Sequence, residues 1–69
     1  MSRRSQFTLA RWYRDDGEIV RKDEPICEIE TDKASADIPA EKDGILRHLA
    51  KVGDIVRIGE KVARIDPIT

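Results

Sequence analysis

The chain has little of almost everything that usually carries chemistry. Its 69 residues include one cysteine, one histidine and only three aromatic residues. A single thiol excludes an internal disulfide and a multi-cysteine metal site. Cys27 lies in a strand-like run and reads as a small core residue in a protein of a reducing compartment. The lone His48 has no nucleophile beside it in sequence and suits a packing or rim role. No paired carboxylates, phosphate-cradling loop or metal-ligand spacing is present, so no catalytic residue and no metal site are expected. The charges do not favour one sign either: 13 basic and 14 acidic residues leave a net charge of −1. With so few aromatics, that balance argues against nucleic acid as a partner. No apolar stretch approaches the roughly 20 residues that cross a bilayer, and no signal-peptide pattern opens the chain, so no membrane role is expected. No segment sustains an apolar period of 3.6, which leaves essentially no helix.

What is present is a repeat. Gly17–Glu30 aligns without gaps on Gly53–Asp66, an offset of 36, with six of 14 positions identical (Gly17/Gly53, Ile19/Ile55, Val20/Val56, Arg21/Arg57, Glu24/Glu60 and Ile29/Ile65). Upstream, Leu9 falls on Ile45 and Arg11 on Arg47. Two copies are too few for a solenoid, so the halves are read as one body with quasi-two-fold symmetry. Each half has a mixed strand, a glycine turn, a two-residue strand (Ile19-Val20 or Ile55-Val56), a second turn and a third strand ending near Ile29 or Ile65. Asp16-Gly17 and Asp43-Gly44 are strong turn signals. Short strands at regular spacing imply an all-β sandwich or barrel. The expected core is Leu9, Trp12, Cys27, Ile29, Ile38, Ile45, Leu49, Ile55, Val56, Ala63 and Ile65, with Trp12 as its largest member.

The repeat maps Lys33 onto Thr69, the last residue. Lys33 sits in the polar turn Glu30-Thr-Asp-Lys-Ala34 between two strand-like runs, Pro25–Glu30 and Ala36–Ala40. A lysine at a hairpin tip is presented to any enzyme that must find it. The symmetry places this tip at one pole and the chain ends at the other. Glu28, Glu30, Asp32 and Asp37 form an acidic cluster near the tip, which is also what a solvated face looks like. Asp32 has an equally plain role as a turn residue bonding the local backbone.

Gly17-Glu-Ile-Val-Arg-Lys-Asp-Glu-Pro-Ile26, Glu30-Thr-Asp-Lys-Ala34, Ile38-Pro-Ala40, Asp43-Gly-Ile-Leu46 and Gly53-Asp-Ile-Val56 with Gly59 occur in an order that resembles the lipoyl domains of dihydrolipoamide acyltransferases. The resemblance covers about Thr8 to Asp66. It implies a flattened β-barrel, or barrel-sandwich hybrid, of two small antiparallel sheets. It also implies lipoate joined as an amide to Lys33, with Asp32 and Ala34 flanking it for the modifying enzyme. The implied function is a non-catalytic carrier whose swinging arm moves acyl groups and electrons between active sites, the catalytic acyltransferase domain being absent from this chain. The implied partners are a lipoate ligase or lipoyl transferase, and the decarboxylating dehydrogenase and dihydrolipoamide dehydrogenase of a 2-oxoacid complex. The implied location is bacterial cytoplasm or mitochondrial matrix. Residues 34–40 lean toward the succinyl-transferring (2-oxoglutarate) class, although Ala-Ser after the lysine also occurs in pyruvate-complex domains. The alternative is an unmodified adaptor or a biotin-carrying carboxyl carrier. Biotinyl carriers place their lysine between methionines, whereas the only methionine here is Met1.

One departure from the family pattern stands out. Residues 1–7 form a polar leader, expected to be disordered, ahead of a carrier domain over 8–66 and the start of a tether over 67–69. The family's usual apolar first strand and Gly-Glu turn are not in that leader. The counterpart of Ala36–Ala40 would then be lacking, leaving a sheet edge open to self-association.

Overall fold

The computed structural model describes residues 6–57 and 59–68. They form seven strands: β1 (Gln6–Trp12), β2 (Ile19–Val20), β3 (Pro25–Glu30), β4 (Ser35–Pro39), β5 (Gly44–His48), β6 (Ile55–Arg57) and β7 (Ala63–Asp66), with no helix among the described residues. Two antiparallel sheets result, one in the order β4-β3-β1-β6 and the other β2-β5-β7. They pack face to face without closing into a barrel. The first strand begins at Gln6, so Gln6 and Phe7 belong to β1 rather than to a leader. Residues 1–5 lie outside the described part of the chain.

The repeat is visible as hydrogen bonds. Glu18 N–H donates to the Asp15 carbonyl while the Glu18 carboxylate accepts from Asp15 N–H; Asp54 and Lys51 do the same. Glu24 and Arg21 form a second reciprocal brace, copied by Glu60 and Arg57. An acid reaching back three residues satisfies a turn's backbone donor, which gives the matched acids at 18/54 and 24/60 a physical role. Gly17 and Gly53 take φ of 90° and 95°, a region closed to most side chains. In the second turn Asp23 (φ 72°) stands where the copy has Gly59 (φ 100°).

The core is Leu9, Val20, Ile26, Cys27, Ala40, Leu46, Val56 and Val62. Two bulges explain where this departs from expectation. In β1 the pairing with β3 jumps between Leu9/Ile29 and Arg11/Glu28, leaving Ala10 as an extra residue. Upstream of that bulge the halves therefore correspond at an offset of 37, and Leu9 matches Leu46 rather than Ile45. The main chain agrees: Leu9 donates to Asp54 O (3.0 Å) and accepts from Gly53 N–H (2.8 Å), while Leu46 donates to Glu18 O (2.8 Å) and accepts from Gly17 N–H (2.7 Å). Both leucines are fully buried, and Ile45 is only half-buried. In β3, Pro25 pairs with Pro39 and Cys27 with Ile38, so Ile26 is the extra residue there. Ile26 and Cys27 both turn inward as a result.

Ile55 and Leu49, expected in the core, are exposed. Neighbouring residues of a strand point to opposite faces, so Val20 and Val56 go in while Ile19 and Ile55 go out. Leu49 lies just past the end of β5. Trp12, Ile29, Ile38, Ala63 and Ile65 pack against the core from its margin.

Trp12 and His48, which correspond in the repeat, stack on one another with ring centroids 3.7 Å apart and planes 9° from parallel. Trp12 Nε1–H donates to the Ala50 carbonyl (3.2 Å). His48 Nε2 lies 2.9 Å from the carbonyl of Arg14, the residue that corresponds to Ala50. A carbonyl only accepts, so Nε2 carries a proton. The stack thus sits on the quasi-two-fold axis, at the seam between sheets rather than at the centre of the core.

Candidate functional site

The strands on either side of the axis run outward to two poles. β1 and β3 pair from Trp12/Cys27 at the seam to Thr8/Glu30 at one end. β5 and β7 pair from His48/Ala63 at the seam to Ile45/Asp66 at the other. Lys33 and the end of β7 therefore occupy opposite poles, as the repeat predicts. The start of β1 does not join the far pole. Gln6, Phe7 and Thr8 line an open groove together with residues 30–33, at the base of the lysine hairpin.

The hairpin is built by the β3–β4 ladder, which pairs Cys27 with Ile38, Ile29 with Ala36 and Glu30 with Ser35. Thr31–Ala34 close it. Thr31 N–H donates to the Ala34 carbonyl (2.8 Å). The Thr31 hydroxyl donates to the same carbonyl (3.2 Å) and accepts from Lys33 N–H (3.3 Å) and Ala34 N–H (3.2 Å). Thr31 braces the turn, the part that a reading of turn residues assigns to Asp32. Its signal was in the sequence, since a β-branched hydroxyl residue at a strand end can satisfy local donors. Asp32, Lys33 and Ala34 are all exposed, and among the described residues the Lys33 ammonium makes no ion pair.

The four acids near the tip divide into two pairs. Glu28 and Asp37 face each other across β3–β4 and are held by structural partners: Arg11 Nε lies 3.0 Å from Glu28, and the Tyr13 hydroxyl donates to Asp37 (2.7 Å). That bond, with the negative charge of Asp37, raises the Tyr13 pKa above its ordinary value. Nothing in the sequence marks Tyr13, yet it ties the end of β1 to β4, the strand that follows the lysine turn. Glu30 and Asp32 remain exposed at the tip itself.

Burial, helped by the charge of Asp37, pushes the Cys27 thiol up to about 11, which keeps it protonated and inert at neutral pH. Among the described residues no group of acids, histidines or cysteines is placed to hold a metal. Among the described residues no helix is long and apolar enough to cross a membrane. What the arrangement can do is present one primary amine, far from the core, on a rigid two-stranded stalk.

Comparison with known proteins agrees with this geometry. A biotin/lipoyl family model, described as "Biotin-requiring enzyme", matches residues 2–65. The chain is 45% identical over 63 residues to a probable dihydrolipoyllysine-residue succinyltransferase component of the 2-oxoglutarate dehydrogenase complex, mitochondrial, of Schizosaccharomyces pombe, covering 90% of this chain and 14% of that protein. It is 37% identical over 62 residues to the corresponding component of Bacillus subtilis, covering 88% of this chain and 15% of the relative. The chain thus spans about one seventh of these relatives' length. The solution structure of the lipoyl domain of the 2-oxoglutarate dehydrogenase complex from Azotobacter vinelandii superposes with a TM-score of 0.74 at 36% identity, over 90% of this chain and 80% of that one. With the family model over most of the chain and a lipoyl-domain structure sharing its fold, the chain belongs to the biotin/lipoyl attachment family, as a lipoyl domain.

Proposed function

We propose that Lys33 is the attachment residue and that the chain is the lipoyl carrier of a 2-oxoglutarate dehydrogenase complex. The observation that carries this reading is the exposed amine at the tip of a hairpin whose turn is fixed by Thr31. A ligase must bring an activated carboxyl group to Nζ. The amide forms as the activating nucleotide leaves, the ammonium proton is released and the positive charge is lost. When bound, lipoate supplies a dithiolane that accepts and releases acyl groups and electrons.

The chain itself supplies presentation. β3 and β4 hold the tip in place, Thr31 fixes the turn, and Asp32 and Ala34 flank the amine as recognition contacts for the modifying enzyme. Tethering raises the effective concentration of the carried group at each active site that the arm can reach. Those sites belong to the decarboxylating dehydrogenase, the succinyltransferase core and the dihydrolipoamide dehydrogenase. The succinyl class is supported by the naming of the relatives at 45% and 37% identity. A place in a mitochondrial matrix or bacterial cytoplasm is supported by the same relatives and by the buried free thiol of Cys27.

The test is incubation of the folded chain with lipoate-protein ligase, lipoate and ATP, in parallel with biotin ligase and biotin, each followed by intact mass. Lipoate uptake with no biotin uptake is expected; the reverse would replace the proposal with a carboxyl carrier. The lipoylated chain should then be reductively succinylated by the 2-oxoglutarate-decarboxylating component faster than it is acetylated by the pyruvate component.

A further inference from the structure

At the seam the two halves share a backbone but not the side chains it carries. Tyr13 N–H donates to the Ile26 carbonyl and Leu49 N–H to the Val62 carbonyl, both at 2.9 Å, so Tyr13 and Leu49 are equivalent positions. Leu49 is exposed and ends in methyl groups. Tyr13 instead reaches across β3 and donates its hydroxyl to Asp37 on β4 (2.7 Å). The hairpin that bears Lys33 needs such a hold, because among the described strands β4 pairs only with β3. At the base of that ladder Pro25 faces Pro39, neither with an N–H to donate, and Ile26 is bulged out of register. Further along, Glu28 faces Asp37, and like charges directly opposite push strands apart. β1 answers both acids, with Arg11 Nε 3.0 Å from Glu28 and the Tyr13 hydroxyl on Asp37. One strand thus grips both arms of the hairpin.

We infer that Tyr13 is a positioning residue for the chemistry at Lys33: its hydroxyl clamps β4 to β1 across β3 and holds the lysine tip in the orientation that an enzyme must meet. This rests on the reading of Lys33 as the attachment residue. Tyr13 touches neither the amine nor the group it receives, and acts only through Asp37 and the strand that Asp37 belongs to. Without the bond the hairpin samples further orientations. An enzyme then meets a smaller competent fraction, and its apparent affinity falls by that fraction. Once the tip is bound, the step at Nζ is the same. The loss therefore falls on KM and leaves kcat unchanged.

The test is steady-state lipoylation of the full chain by lipoate-protein ligase, at a temperature where thermal melts show every variant folded, with amide exchange on the same samples. Tyr13→Phe keeps the ring and removes only the hydroxyl. It should raise KM for the chain by about threefold at constant kcat, and speed exchange in the β3–β4 ladder but not in the β5–β7 ladder. Asp37→Ala should raise KM equally, and the double variant no further, since both remove one bond. Asp37→Asn keeps an acceptor oxygen and should stay near the wild-type KM. Leu49→Ala, at the equivalent position, should change neither constant. Wild-type chain modified at Lys33 with an unchanged KM in Tyr13→Phe, additive effects in the double variant, or exchange that rises evenly in both sheets would overturn the role of Tyr13 alone. Wild-type chain modified elsewhere, or not at all, would overturn the attachment reading and this inference together.

Discussion

Residues 15–30 and 51–66 pass through the same turns, with acids at 18/54 and 24/60 bracing the backbone in matched hydrogen bonds. Beyond them the halves part. The first continues through Thr31–Ala34 into β4, while the second ends its pairing at Asp66. The matched parts hold the two sheets together, and the unmatched hairpin carries the exposed amine. Stability and presentation are therefore assigned to different residues, so each can be broken without the other.

The largest effects should come from the matched core. Leu9→Ala and Leu46→Ala each remove a fully buried side chain at equivalent sites, and each should cost about 2–5 kcal/mol by chemical denaturation. Near-equal losses would sharpen the correspondence set by the Ala10 bulge. Ile45→Ala, at the site the gapless alignment favours, should cost clearly less. Gly44→Ala comes next. A Cβ there would sit 2.3 Å from the Asp66 carbonyl oxygen and 2.6 Å from an Ile65 methyl, and the forced shift should cost about 2–3 kcal/mol. Its counterpart across the two-fold is Phe7, which shares the pairing with the matched valine, Val56 for Val20. The close approach at Gly44 thus belongs to the second half alone.

Thr31→Val should have a smaller effect. It keeps the β-branch but removes a hydroxyl that makes three contacts in the lysine turn. The expected loss is about 0.5–1.5 kcal/mol, with slower modification of Lys33 and an unchanged core. The smallest effect is on the acid limb. Glu24 is held below its usual pKa by the Arg21 backbone hydrogen bond and the Arg14 guanidinium, and Asp66 by hydrogen bonds from Arg64 and Arg47. A carboxylate with a depressed folded-state pKa stabilises above its unfolded value and loses that contribution as pH falls through the folded one. Stability should therefore decline below about pH 4, and Glu24→Gln or Asp66→Asn should flatten that decline in a pH series of thermal melts.

The sequence carries the architecture because the repeat is a record of turns, and turns depend on particular residues: Gly17 and Gly53 for positive φ, Glu24 and Glu60 for the brace. The hairpin lysine is legible for the same reason, as a polar turn between two alternating runs. The bulges are not legible. An extra residue at Ala10 shifts which side chains face inward with no Gly or Pro to mark it, so the gapless repeat pairs Leu9 with Ile45 instead of Leu46. At Ile26 the adjoining Pro25 reads equally well as a plain strand start, so the alternation hides that Ile26 turns inward. The shortest strands hide their facing in another way, since Ile55-Val56 reads as a core pair until the pleat assigns the residues to opposite faces. Thr31 and Tyr13 went unnoticed because their roles depend on partners, Ala34 and Asp37, that only the folded hairpin brings within reach.

The central claim is that the amine at the point of broken symmetry, and no other, is modified. The chain has five lysines: Lys22, Lys33, Lys42, Lys51 and Lys61. Peptide mapping by mass after co-expression with a lipoate ligase tests the claim directly. The account predicts a single lipoyl group on Lys33, and no addition to a Lys33→Arg variant that remains folded. A lipoyl group on any of the other four, or a folded wild-type chain that takes none, would contradict it.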